Sequence, residues 1–345
     1  MTTNAHRTAA LLLAALLAWS PAAAQHASDA PTTATLEASA PAAPRLSALA
    51  QAFDGERAFR DVEKQLAFGP RIPGTPGHDR QINWMASELK KVGFAVEVID
   101  LGTFRPKIAG GGVMPIRHVI ARWKPERPRR ILYSAHFDTR LHADSPKSTA
   151  SERRLPVPGA NDGGSAVAVL LEMARAIQAH PPENVGIIIL MHDAEDQGYP
   201  PNMSGPHPFG EYAYGADLLA AQWQPKDRFE AGVNLDMVGE KKDPRFRKES
   251  YSLRFQPELV DEFWTLGKEL YPDLFVSEAT GFIIDDPVPY QQRGFPYINV
   301  IDLEYPEHHT VRDDLSAVSA ETLQKIGLVS LEFIARRDFG AGEKP

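Results

Sequence analysis

Carboxylates and imidazoles in this 345-residue chain collect just past apolar runs, where a folded sheet would bring them together. Arg130-Ile-Leu-Tyr-Ser-Ala135 leads into His136-Phe-Asp138, and Val185-Gly-Ile-Ile-Ile-Leu-Met191 leads into His192-Asp-Ala-Glu195-Asp196. Ala231-Gly-Val-Asn-Leu-Asp236 ends on an acid, and Ala160-Asn-Asp162-Gly-Gly-Ser165 stands before a helical stretch. Pro306-Glu-His308-His309-Thr310 follows the last apolar run. Imidazole nitrogens and carboxylate oxygens in this combination are the ligand chemistry of a Zn²⁺ site. Taken singly, each has a plainer reading. Asp162 could cap a helix, His136 could be a hydrogen-bonded core histidine, and Asp236 could simply end a strand. Glu195-Asp196 is harder to explain without a cation, because two adjacent carboxylates after a buried strand repel each other. Convergence of all five segments points to a metal centre.

The elements that must position these residues alternate between helical and strand patterns from Phe53 onward. Phe59, Val62, Leu66 and Ala67 fall at helical spacing, ending at Gly69-Pro70. Arg71-Ile-Pro-Gly-Thr-Pro-Gly77 reads as a structured turn, since its prolines and glycines exclude regular helix or interior strand. A helix follows with Ile82, Met85, Ala86, Leu89 and Val92 on its buried face and Gly93 as its stop. Residues 94–99, 118–123, 130–135, 185–191, 231–236 and 297–301 read as strands, and 165–179, 257–270 and 320–335 as helices. The unbroken apolar run at 185–191 suits a strand covered on both faces. These patterns predict one α/β domain with a central mixed, mostly parallel β-sheet flanked by helices. In such sheets ligands bind beyond the carboxyl ends of the strands, where the acids and histidines fall.

Composition narrows the partners. With 43% hydrophobic and 24% charged residues the chain can bury a sizeable core. A net charge of −8, with no stripe of Lys and Arg, argues against nucleic acid. The short basic cluster Arg127, Arg129, Arg130 reads as a solvated loop. Arg7, the apolar run Thr8–Trp19 and Ala22-Ala-Ala24 have the build of a signal peptide over 1–24. The run is too short to span a bilayer, so export to the periplasm or medium is expected, with no membrane span after cleavage. Residues 25–50, rich in Ala, Pro, Ser and Thr, read as a flexible linker, and 51–340 as the catalytic domain. There is no cysteine, hence no disulfide and no lipid-bearing thiol. The stretch Gly198–Gly210, with His207 and the nearby His192, is expected to form a loop at the site's mouth. Oligomeric state is not encoded in any visible pattern.

The order of motifs resembles the zinc-dependent exopeptidase family that includes bacterial aminopeptidases and animal-type glutaminyl-peptide cyclotransferases. The resemblance runs from about Arg71 to the C-terminal helix and rests on Ser134-Ala-His-Phe-Asp138, Gly159-Ala-Asn-Asp-Gly-Gly-Ser165, Asp193-Ala-Glu-Asp196, Asn234-Leu-Asp236 and His308-His-Thr310. It implies zinc on Asp162, Asp196 and His309, with Glu195 as general acid/base. It also implies that His136 and Asp236, with Asp162 bridging, complete a second zinc in the aminopeptidases. Glu195-Asp196 departs from the two glutamates common there, although aspartate remains an acceptable oxygen ligand. Arg71-Ile-Pro-Gly-Thr-Pro-Gly77, Asp236-Met-Val-Gly239, Tyr214-Gly-Ala-Asp-Leu-Leu-Ala220 and Ile284-Asp-Asp-Pro-Val-Pro-Tyr290 are similar to the cyclotransferase branch. Pro287 replaces a histidine of that branch, and His308 stands where animal enzymes carry a pocket tryptophan.

The resemblance therefore implies a peptide N-terminus as substrate and two candidate chemistries. As a cyclotransferase, the enzyme would use one zinc, with Glu195 shuttling a proton and Asp236 and Asp285 holding the α-amine and the Glu195 hydrogen-bond network. As an aminopeptidase, it would use two zincs and make Asp236 a ligand. A solvated acidic loop is the plain alternative for Asp285-Asp286, and His308 is expected to touch substrate. A non-catalytic peptide-binding module on the same fold would require a missing ligand or base, and none is missing.

Overall fold

In this computed structural model the described residues are 46–108, 110, 112–198 and 212–339. The expected signal peptide, most of the linker, and most of the Gly198–Gly210 loop including His207 lie outside them. The strands are β1 Ala95–Phe104, β2 Met114–Trp123, β3 Arg130–His136, β4 Gly186–His192, β5 Ala231–Asp236, β6 Phe246–Lys248, β7 Phe275–Ala279 and β8 Tyr297–Ile301. The helices are α1 Ala48–Gln51, α2 Gly55–Leu66, α3 Pro76–Lys91, α4 Gly164–Ala179, α5 Tyr214–Ala221, α6 Ser250–Phe255, α7 Pro257–Leu270, α8 Pro287–Gln291 and α9 Ala320–Phe339.

The main sheet has six strands in the order β1-β2-β4-β3-β5-β8. β1, β2 and β4 pair antiparallel, whereas β4, β3, β5 and β8 run parallel. The expected mixed, mostly parallel α/β architecture is what forms. Alternation along the central strands explains why their sequences are apolar throughout. Ile131, Tyr133, Ile187, Ile189 and Met191 join a core shared with α1–α4, α7 and α9. Leu132, Ile188 and Leu190 point the other way, into a second core with Ala216 and Leu219 of α5 and Tyr290 of α8.

The chain leaves β3 through α4 to β4 on one side, then returns to β5 on the other, so the strand order reverses at β3. The parallel strands carry their carboxyl ends to one edge. His136 is in register with His192, and Asp236 with Ile301. Two residues earlier, Ser134, Asn234 and Asn299 form a polar row across β3, β5 and β8.

Local differences from the sequence reading have simple causes. The linker boundary at residue 50 is too late. Ser47 caps α1 by accepting from the Ala50 amide, Leu49 and Ala50 are buried, and the Ser47 amide donates to Glu332 at 2.9 Å. The turn at Arg71–Gly77 gives its last two residues to α3, with Thr75 as N-cap and Pro76 in the first turn. The basic cluster is not freely solvated. Arg129 forks onto Glu230, Arg127 donates to the Pro182 and Val185 carbonyls, and Arg130 to those of Arg228, Pro125 and Arg127. Among the described residues no helix is long and apolar enough to cross a membrane.

Candidate metal centre and active site

The carboxyl edge of the sheet brings the sequence-predicted residues together around Asp162. His136, the last residue of β3, sets its Nε2 3.1 Å from Asp162 Oδ1 and 3.2 Å from Asp236 Oδ1. From the opposite side, His309 Nε2 lies 2.9 Å from Asp196 Oδ1 and 3.7 Å from Asp162 Oδ2. Two sets of ligand atoms fall within 4.8 Å of one another: His136, Asp162 and Asp236; and Asp162, His308 and His309. Asp196 approaches the second set through His309, while His308 packs its ring 3.8 Å from that of His309 with Nε2 4.0 Å from Asp162 Oδ2.

Asp162 is not a helix cap. Gly163 occupies the N-cap position of α4 with φ 78°, leaving the Asp162 side chain aimed at the histidines. A Cβ on Gly163 would stand 3.1 Å from both the Asp138 carbonyl and His136 Cε1, and the left-handed φ itself favours glycine. Three non-glycine residues in the left-handed region flank the same edge: Ala194, Met237 and His309, at φ 58°, 47° and 55°. Such strain persists where the surroundings over-determine it, commonly at functional sites.

Two buried carboxylates hold the acid-bearing loops. Asp138 accepts the amides of Glu195 and Asp196 at 3.1 and 3.2 Å and the Gln197 side chain at 3.1 Å. Asp313 accepts the amides of Asn161 and Asp162 at 2.8 and 3.1 Å and the Tyr305 hydroxyl at 2.8 Å. Behind them, the wholly buried Arg71 donates to the Phe137, Pro158 and Gly159 carbonyls. Arg140 donates to the Asp196 carbonyl at 2.9 Å and forks onto Asp144.

Charge is concentrated enough to displace several protonation equilibria. Burial opposes a charged His136, yet Asp236, Asp138 and Asp162 outweigh it and hold the imidazole well above its usual range. Burial also opposes ionised Asp162, but the hydrogen bond and charge of His136 pull it below the ordinary carboxylate range. Burial pushes His309 down to about 3, helped by the Arg140 cation, which keeps it neutral as a ligand must be. Asp196 is pushed up by burial and by Asp162. Glu195 is held well above the usual range by burial, reinforced by Asp285, Asp196 and Asp286 and partly offset by His136.

Asp285 and Asp286 are not a solvated loop. They are 1% and 0% exposed. Asp285 accepts from Asn299 Nδ2 at 2.6 Å, from the Asp286 amide at 2.5 Å and from Asn234 Nδ2 at 3.3 Å. Burial and the Asp236 charge raise it to about 7. Asn234 and Asn299 were not among the residues that sequence reasoning assigned a role. The available signal was an amide in the middle of each otherwise apolar strand, where an unpartnered polar group is costly. His192, expected near the mouth, is instead fully buried at the end of β4.

A cavity of about 320 Å³ opens over Asp162, Glu195, Asp236, Asp285, His308 and His309, with apolar walls that include Met237 and Phe282. The donor set fits a zinc ion by its chemistry, and among the described residues the buried Asp162 Oδ2, Asp196 Oδ2 and His136 Nδ1 have no hydrogen-bond partner.

Comparison with known proteins finds relatives across most of the chain. The model for peptidase family M28 matches residues 118–334. A glutaminyl-peptide cyclotransferase of Drosophila melanogaster is 24% identical over 287 residues, covering 75% of each chain. The crystal structure of a glutaminyl cyclase from Bacteroides thetaiotaomicron, bound to N-acetylhistamine, superposes with TM-score 0.77 at 31% identity, covering 85% of this chain and 100% of that one. A Zn-dependent exopeptidase from Parabacteroides distasonis superposes with TM-score 0.76 at 34% identity, covering 83% and 99%.

Proposed function

The chain belongs to peptidase family M28, and from that membership we propose that it is a zinc-dependent glutaminyl-peptide cyclotransferase. In this reading it converts the N-terminal glutamine of peptides to pyroglutamate and releases ammonia. The observation that carries it is Asp285, a buried carboxyl on the wall of the cavity that also holds Glu195 and Asp236. A carboxylate trio beside the metal ligands suits a substrate that presents a free α-amine.

Asp162, Asp196 and His309 would hold zinc, which when bound would supply Lewis acidity for the glutamine side-chain carbonyl. Asp236 and Asp285 hold the α-amine so that its lone pair faces that carbonyl carbon. Glu195 takes the amine proton as the new C–N bond closes the five-membered ring, then passes it to the departing ammonia as the old C–N bond breaks. Nucleophile and electrophile belong to one residue, so orientation and charge stabilisation supply most of the rate. The apolar cavity wall limits water, which would otherwise compete as nucleophile.

A specific feature favours a second reading. His136, Asp162 and Asp236 have ligand atoms close enough to hold a second ion, which suits a di-zinc aminopeptidase with Glu195 activating a water. Incubation with glutaminyl-naphthylamide and leucyl-nitroanilide separates the two, together with zinc counted per chain. Pyroglutamate formation with one zinc supports the cyclotransferase; nitroaniline release with two zincs and no pyroglutamate reverses the assignment.

Export belongs to the same proposal. Cleavage after Ala24 would expose Gln25, itself an N-terminal glutamine, as a substrate for the enzyme. Mass spectrometry of secreted, active protein reads this directly, and an unmodified Gln25 would count against it.

A further inference from the structure

Beside Asp285, on the sheet face that carries Leu132, Ile188 and Leu190, three buried side chains leave polar atoms without partners among the described residues. Both oxygens of Asp286, both ring nitrogens of His192 and the Tyr290 hydroxyl are inaccessible to solvent and make no hydrogen bond. Each such group costs roughly 1–3 kcal/mol if it stays unsatisfied, so five of them in one region require an occupant. Tyr290 links the three. Its ring meets the His192 ring at 5.8 Å, and the Asp286 charge acts on its hydroxyl. Asp286 and Tyr290 also stand at either end of the same short stretch, since Asp286 precedes α8 and Tyr290 lies within it.

The cluster borders the network that fixes Asp285. Tyr290 packs edge-on to Tyr297 at 5.3 Å, and the Tyr297 hydroxyl contacts Ser134 Oγ. Ser134 Oγ donates to Asn234 Oδ1 at 2.5 Å, while Asn234 and Asn299 donate to Asp285. The Asp286 amide closes this network on Asp285 from the other side.

We propose that His192, Asp286 and Tyr290 enclose internal water, and that through it Asp286 and Tyr290 act as positioning residues for Asp285. The donor and acceptor count suits a water. A tyrosine O–H and one imidazole N–H can donate to it, and it can donate to the Asp286 oxygens, giving the two to four partners a buried water needs. A metal ion does not suit the cluster, because only His192 and Asp286 in it are of the usual ligand types, and neither belongs to the groups of three found at Asp162. The hydrated cluster ties the start of α8 to the end of β4, and so holds Asp285, two residues before α8, over the cavity.

The role given to Asp285 rests on the cyclotransferase reading; the water does not. A high-resolution crystal structure of the zinc-loaded enzyme is expected to show water density within hydrogen-bond distance of Asp286 and of Tyr290 Oη or a His192 nitrogen. Tyr290→Phe and Asp286→Leu are expected to raise KM about tenfold at unchanged zinc content, on whichever of the glutaminyl or leucyl substrates is turned over. Asp286→Asn, which keeps an acceptor, is expected to recover most of the loss. A merely structural role would lower the active fraction, and so kcat, at unchanged KM. Direct bonds among the three side chains with no water between them overturn the proposal, as do wild-type KM values in both variants. If either variant fails to fold, the wild-type density decides.

Discussion

Asp138 and Glu195 lie 57 positions apart, yet the Asp138 carboxylate accepts the Glu195 backbone amide at 3.1 Å and the Asp196 amide at 3.2 Å. One side chain just past β3 thus fixes two consecutive residues just past β4, one a proposed proton shuttle and the other a proposed metal ligand. Asp138→Ala removes both anchors and the Gln197 contact. Activity is expected to fall about 10- to 100-fold, the usual cost of losing such an orienting group, with weaker zinc retention on dialysis. Asp138→Asn keeps one acceptor oxygen and should fall between. Wild-type turnover in the alanine variant would show that the loop is held by its own backbone.

Removal of the metal tests the donor set as a whole. Asp162 lies between His136 and His309 and has an oxygen with no hydrogen-bond partner. Chelation should therefore abolish turnover and lower the melting temperature, since metal bound only to the native state stabilises it. Zinc should restore both. Asp162→Asn, which keeps shape and loses charge, should retain the fold and lose the metal. An unchanged melting curve after complete zinc removal would contradict a centre built on Asp162.

Gly163 carries a sharper steric prediction. Its φ of 78° acts against any side chain, and so does the 3.1 Å separation that an added Cβ would have from the Asp138 carbonyl and His136 Cε1. Gly163→Ala is expected to cost about 1–3 kcal/mol of stability, read by chemical denaturation, and to disturb the His136–Asp162 pair. Gly69 also has a positive φ, 81°, but nothing lies within 4 Å of its added Cβ. Gly69→Ala should therefore cost less, and equal losses at the two sites would mean that backbone strain alone sets the effect.

Most of the sheet was legible because its central parallel strands are largely apolar and its helices have clear periods; β5, β8 and α7 begin and end where the sequence places them. The site was legible where acids and histidines end those strands. What escaped was anything decided by register or by packing from afar. Asn234 and Asn299 acquire meaning only when β5 and β8 pair in a register that aligns them. Asp285-Asp286 has the composition of a solvated turn, and only the cover provided by the surrounding strands and α8 buries it. The start of the fold was missed because α1 has only four residues, too few to show a period, and owes its place to burial of Leu49 and Ala50.

Away from the cavity, two buried acids are expected to make stability depend on pH. Glu240 and Asp302 are 4% and 2% exposed and close enough for each to displace the other's protonation, so that the pair favours holding a proton. Burial raises Asp302 to about 8, with the Glu240 hydrogen bond adding to it, and burial raises Glu240 as well. A folded pKa above the unfolded one means that the native state binds the proton more tightly. The stabilisation from this pair is therefore complete below the ordinary aspartate range and is lost as pH rises through about 8. Wild-type melting temperature should fall between about pH 4 and about pH 8 partly for this reason. Asp302→Asn can donate to Glu240 at every pH in that window and still accept the Arg245 amide, which reaches Asp302 at 3.2 Å. Its melting curve should be flatter, with the gain over wild type growing toward alkaline pH. Parallel pH slopes for the two proteins would mean that the pair does not share a proton.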